Sequence, residues 1–149
     1  MLQTTSKSLH RFPEARFSTI LTRTIDGIGM TDYKVRDKAN LQSIVHFCDK
    51  AMSYTKAVSR DGFLDSMMIR DACAINCIAI GYRAERLSES LTAEYRDVDW
   101  DKLWRSGKQI EELYGTPFYD DEVLWNLVSG GLPIVRKYCQ KILDGMEGQ

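Results

Sequence analysis

Between Arg105 and Tyr114 the chain sets two cations, a carboxylate and a phenol at helical spacing. Arg105 lies seven residues and Lys108 four residues before Glu112, so a single helix would carry all three on one side. A cation and a carboxylate that face one cleft could stabilise a developing negative charge and move a proton. Glu112 serves as a base near neutrality only if burial or a neighbouring acid raises its pKa, whereas Arg105 and Lys108 push it the other way. The plainer reading of Lys108 and Glu112 is an exposed i, i+4 ion pair contributing about 0.3–0.5 kcal/mol. Tyr114 precedes Gly115 and Thr116-Pro117, which places its hydroxyl at a helix end beside a loop. A half-buried packing role suits a tyrosine there equally well.

Other chemistries are limited by composition. The 149 residues hold 20 basic and 21 acidic side chains, a net charge of -1, so no bulk positive field draws the chain to nucleic acid and any such contact must be local. His10 and His46 are the only histidines. Cys48, Cys73, Cys77 and Cys139 stand within apolar stretches and read as reduced core thiols. Neither a metal centre nor a cofactor is expected. No apolar run reaches the roughly 18–20 residues that cross a bilayer, so the expected setting is cytoplasmic, with no membrane partner. Residues 1–31 are rich in Ser, Thr and Arg without a sustained apolar core; they read as an extension, disordered or preceding a start at Met30. The compact domain is expected over 32–145.

Hydrophobic periodicity gives the elements that would position these groups. Leu41, Ile44, Val45, Cys48 and Met52 mark one face of a helix over 35–57. Ser59 or Asp61 can cap a long second helix from Phe63 to Leu91. On it, Ile69, Cys73, Cys77, Ile80, Ala84, Leu87 and Leu91 form one stripe, and Met68, Ala72, Ile75 and Ala79 form a second beside it. Two stripes exceed what one neighbour requires and predict an internal core plus contact with another chain. Asp99 caps a third helix carrying Trp100, Leu103, Trp104, Ile110 and Leu113, which ends near Tyr114-Gly115. A fourth begins at Asp121-Glu122 and is interrupted at Gly130-Gly131-Leu132-Pro133. The fold expected is all-α, an antiparallel up-down bundle of four to five helices.

Residues placed along these helices resemble a known family: Tyr54-Thr55 with Phe63-Leu64, Arg70-Asp71-Ala72, Ile80-Gly81, Arg86-Leu87-Ser88, Val98-Asp99-Trp100, Leu124-Trp125-Asn126 and Leu132-Pro133. Together they are similar to the HepT-like branch of the HEPN superfamily, over residues 35–143. The resemblance implies a HEPN-like bundle that forms a homodimer, a metal-independent endoribonuclease toxin of a toxin–antitoxin system, and an antitoxin that is a minimal nucleotidyltransferase of the MntA type.

That family's chemistry rests on an Arg followed, after four to six residues, by His-x-Tyr. Counting from Trp100 without a gap, the Arg position falls on Gly107, the polar residue after it on Lys108, His on Glu112 and Tyr on Tyr114. Counting back from Trp125 puts Tyr114 on the His position and Gln109 on the Arg position, with a 116–120 loop about two residues longer than the family's. Neither register recovers a histidine. Tyr82-Arg83 also departs from the family, which often has Glu and small residues there. The resemblance thus implies ribonuclease ancestry with a degenerate motif, leaving Glu112, Arg105 and Lys108 as candidate catalytic groups in its place. It also implies that Tyr114 is the hydroxyl to which the nucleotidyltransferase transfers AMP. The rival expectation is a non-catalytic dimeric binding partner of that nucleotidyltransferase. RNA remains a possible ligand, drawn to a cleft near Arg105 and Lys108. Trp100, Trp104 and Trp125 fit core or dimer contacts better than base stacking, and His46 an edge or core position.

Overall fold

The structure, a computed structural model, describes residues 29–148, with side chains from residue 33 onward. The chain divides into two units, residues 1–35 and 36–149. Apart from its last three residues, which are helical, the expected extension lies outside the described residues. The helices are α1 (Gly29–Thr55), α2 (Arg60–Asp65), α3 (Met67–Glu85), α4 (Glu89–Glu94), α5 (Trp100–Leu113), α6 (Asp121–Asn126) and α7 (Leu132–Glu147). A π-helical turn, Leu127–Gly131, joins the last two, and no strand occurs among the described residues. The all-α class expected from the sequence is what the chain adopts.

Within the second unit, α1 and α3 run antiparallel. Cys73 Sγ contacts the Ala51 carbonyl, Arg83 Nη1 donates to Asn40 Oδ1, and Ser88, just past α3, meets Asp37, so the contacts run in opposite order along the two helices. Antiparallel packing holds for α3 and α5 too, since Gly81, late in α3, touches Gly107 at the middle of α5 while Asp71, early in α3, meets Tyr114 at the end of α5. Leu41, Ile44, Cys48, Phe63, Cys73, Ile80, Leu124, Val128, Leu132 and Cys139 are fully buried between the helices. All four cysteines are buried and unpaired.

The single helix expected over 63–91 is instead three. Ser66 takes an extended conformation and its Oγ accepts from Ile69 N, so a new helix starts at Met67. Ser88 does the same for Leu91 N and is itself anchored, its backbone N and Oγ both donating to buried Asp37. Serine competes with helix continuation through its own side-chain bonds, a local effect that apolar periodicity does not register. At Gly130-Gly131 the interruption expected in the last helix takes the form of the π turn, followed by Pro133 in the first turn of α7.

Candidate functional site

Helix α5 carries the candidate groups, and its orientation decides what they can do. Asp99 caps it by accepting from Lys102 N, and Trp100, Leu103, Gly107 and Ile110 form the buried face against α3. Arg105, Lys108 and Glu112 therefore stand on the opposite, solvent face, and all three are exposed. Each cation is engaged by a carboxylate of its own helix. Arg105 Nη2 lies 2.5 Å from Asp101, with both side chains well over half exposed, and Lys108 Nζ lies 3.6 Å from Glu111 rather than pairing with Glu112. The i, i+4 pair expected between Lys108 and Glu112 does not form. Glu112 itself is exposed on that face.

Gly107, the position onto which the ungapped register places the family's arginine, lies at a close crossing of α5 and α3. A Cβ on Gly107 would stand 3.1 Å from the Cys77 carbonyl oxygen and from Gly81 Cα; one on Gly81 would stand 3.0 Å from Gly107 Cα. These neighbours are backbone atoms on two packed helices, so no side chain fits without parting them. A guanidinium at residue 107 is sterically excluded.

Tyr114 ends α5 and is half-buried. Its hydroxyl donates to Asp71 Oδ1 on α3, and its ring meets Tyr119 edge-on at 6.0 Å. Burial, and then the bond to the Asp71 carboxylate, raises the phenol pKa above its ordinary value. Gly115, at φ +83°, turns the chain out of the helix in the left-handed region that glycine adopts without strain. Thr116 then fixes the loop, its Oγ1 donating to the Leu113 carbonyl and accepting from Phe118 N. Around this corner the charges tie elements together: Arg70 pairs with Asp121 at 3.3 Å and Arg60 with Glu122 at 2.7 Å. Arg70 and Asp71 thus serve interhelical contacts. Asp71 as the partner of Tyr114 was not legible, because the 43 residues between them give no local signal.

Trp100 and Trp125 fall into packing roles, and His46 does not. Trp100 is buried and donates its indole N–H to the Tyr95 carbonyl at 2.8 Å, and the Trp125 ring lies 5.3 Å from Phe63. His46 is exposed beside Phe47. Among the described residues no group of three or more His, Cys, Asp or Glu side chains is arranged to hold a metal ion, and no helix is long and apolar enough to cross a membrane. In comparisons with protein-family models, curated proteins and solved structures, nothing matches this chain.

Proposed function

We propose that this chain is a HepT-like HEPN domain, the toxin-type component of a toxin–antitoxin pair, which descends from endoribonucleases but no longer has their chemistry. It acts by association, as a homodimer and as the partner of a minimal nucleotidyltransferase of the MntA type. The observation that carries the reading is the state of α5. Its motif-equivalent face holds Arg105 and Lys108 in exposed ion pairs with their own helix, an exposed Glu112, and no histidine, while Gly107 is closed against Gly81. Loss of the proton-transferring group and of the charge-stabilising donor each removes on the order of 10² or more in rate.

Tyr114 keeps the place that AMP transfer would use, at a helix end beside a fixed loop. Its hydroxyl must first leave Asp71; the phenol oxygen, giving up its proton, then bonds to the α-phosphorus of ATP and pyrophosphate leaves. Four unpaired thiols suit a reducing cytoplasmic setting. Incubation with a small nucleotidyltransferase from the adjacent reading frame and ATP is expected to add AMP to the peptide containing Tyr114, and not in Tyr114→Phe. A partner that is active on another substrate yet leaves Tyr114 unmodified would refute that part of the reading. Purified protein incubated with RNA is expected to leave it intact; cleavage that is lost in Glu112→Ala would refute the rest.

A further inference from the structure

A cavity of about 520 Å³ lies in the second unit between α5, Tyr119 in the loop before α6, the π turn and the start of α7. It takes Lys102, Ser106 and Gln109 from α5, a different stripe of that helix from Arg105, Lys108 and Glu112. Leu103 and Ile110 of α5, Leu127 of the π turn and Ile134 of α7 give it an apolar wall. Tyr119, also in the wall, is only 9% exposed, and its hydroxyl is buried with no hydrogen-bond partner. Buried polar groups in folded proteins are nearly always paired, so this hydroxyl is a donor that lacks its acceptor. Burial pushes the phenol up to about 12, which keeps the proton on the oxygen at neutral pH. The π turn is the other irregular part of the wall. Leu132 N donates to the Leu127 carbonyl five residues back, a geometry that is rare in helices and recurs at functional sites. Within that turn Gly130 leaves the wall as bare backbone, and a Cβ there would meet nothing within 4 Å.

We infer that this cavity binds a small, uncharged, largely apolar molecule with a hydrogen-bond acceptor, to which the Tyr119 hydroxyl donates. Size selects a small molecule over a partner helix. One turn of a helix 10 Å across already fills about 420 Å³, so little more than one turn would enter, whereas small-molecule sites span roughly 300–1,000 Å³. Charge selects an uncharged ligand. The charged residues of the wall, Asp97, Asp99 and Lys102, are all exposed and so stand on its solvent side. An ionic ligand held against Leu103 and Ile110 would find no buried counter-charge in this wall, and an unpaired charge is far costlier to bury than a neutral ring. The unpaired phenol selects the acceptor, because a ligand carbonyl or ether oxygen would complete the bond that the protein leaves unmade.

Fluorescence titration of the full chain with prodan, a neutral naphthalene bearing one ketone, tests the site. N-phenyl-1-naphthylamine, which has no carbonyl, and the anion 8-anilinonaphthalene-1-sulfonate serve as comparisons. Prodan is expected to bind once per chain with a Kd on the order of 10 µM, and the anion at least about 10-fold more weakly. Tyr119→Phe is expected to fold as the wild type does, to weaken prodan about 10-fold and to leave N-phenyl-1-naphthylamine unchanged. Ile134→Trp, at a position 58% exposed, is expected to keep its circular dichroism and to weaken both neutral probes by filling the cavity. No saturable prodan binding up to about 200 µM would overturn the site. Binding indifferent to Ile134→Trp would place the probe on another apolar surface, such as exposed Met68 and Ile75 on α3, and overturn it equally. An anion bound as tightly as prodan would overturn the uncharged class, and a Tyr119→Phe protein that holds prodan at wild-type affinity would overturn the hydroxyl's part.

Discussion

Replacing Gly81 by alanine measures the helix crossing on which the reading of α5 depends. The added Cβ would lie 3.0 Å from Gly107 Cα and 3.3 Å from the carbonyl oxygens of Leu103 and Trp104. Comfortable contact is about 3.5–4.0 Å, so α3 and α5 must part by about 0.5–1 Å. Such a gap forfeits roughly a quarter to a half of the dispersion energy of the atoms lining it, and overpacking of this kind costs about 1–3 kcal/mol. Alanine's higher helix propensity returns about 1 kcal/mol. The net expectation is a destabilisation of about 1 kcal/mol, or about 4–6 °C in Tm for a unit of this size. Gly145→Ala supplies the control: it is also helical, but a Cβ there meets nothing within 4 Å, so the same substitution is expected to stabilise by about 0.5–1 kcal/mol. Thermal and urea unfolding followed by circular dichroism read both signs. If Gly81→Ala stabilises the protein as Gly145→Ala does, α3 and α5 are not in backbone contact and the steric exclusion of a residue-107 arginine fails with it.

Tyr119→Phe is expected to be neutral or stabilising by about 1 kcal/mol in urea unfolding, because its buried hydroxyl has no partner; a loss above that would reveal one. Asp37→Ala, which removes the acceptor of both Ser88 bonds, is expected to cost about 2–3 kcal/mol in the same assay, and an unchanged midpoint would discount that anchor. Burial raises the Cys48 thiol to about 12, Cys73 to about 11 and Cys139 to about 12, and raises Cys77 as well. The unfolded thiols lose their protons around pH 8.5 while the folded ones keep them, so this contribution is fully present only below about pH 8 and is lost as pH rises towards 11–12. The urea midpoint is therefore expected to fall between pH 8 and pH 10.5, and native thiols to react with a disulfide reagent only as fast as the protein unfolds; rapid native labelling at pH 8 would contradict this.

Much of the fold is written in local patterns. Leu41, Ile44, Val45 and Cys48 mark the buried face of α1 by their spacing, and Ser59 and Asp99 act as caps because their side-chain oxygens meet free N–H groups nearby. The apolar surplus on Met68, Ile75 and their neighbours was also legible, and it emerges as exposed surface on α3. What stayed hidden depends on contacts made across the sequence or on competition within a few residues. Ser66 and Ser88 divide one apolar period into separate helices through their own hydrogen bonds, and Asp37 adds to the second break from 51 residues away. The Gly81–Gly107 approach and the Tyr114–Asp71 bond require the antiparallel packing of α3 and α5 before they can be seen. Lys108 and Glu112 have the spacing of an ion pair, yet Glu111, one residue closer, takes the cation.

The most direct test of the central claim, that the chain associates rather than cleaves, is single-turnover degradation of end-labelled RNA with the protein in excess and chelator present. The decay is expected to equal that of buffer across pH 5–9 and to be the same in wild type, Glu112→Ala and Arg105→Ala. A rate well above buffer that falls in Glu112→Ala, with a pH profile set by one proton-transferring group, would contradict the account.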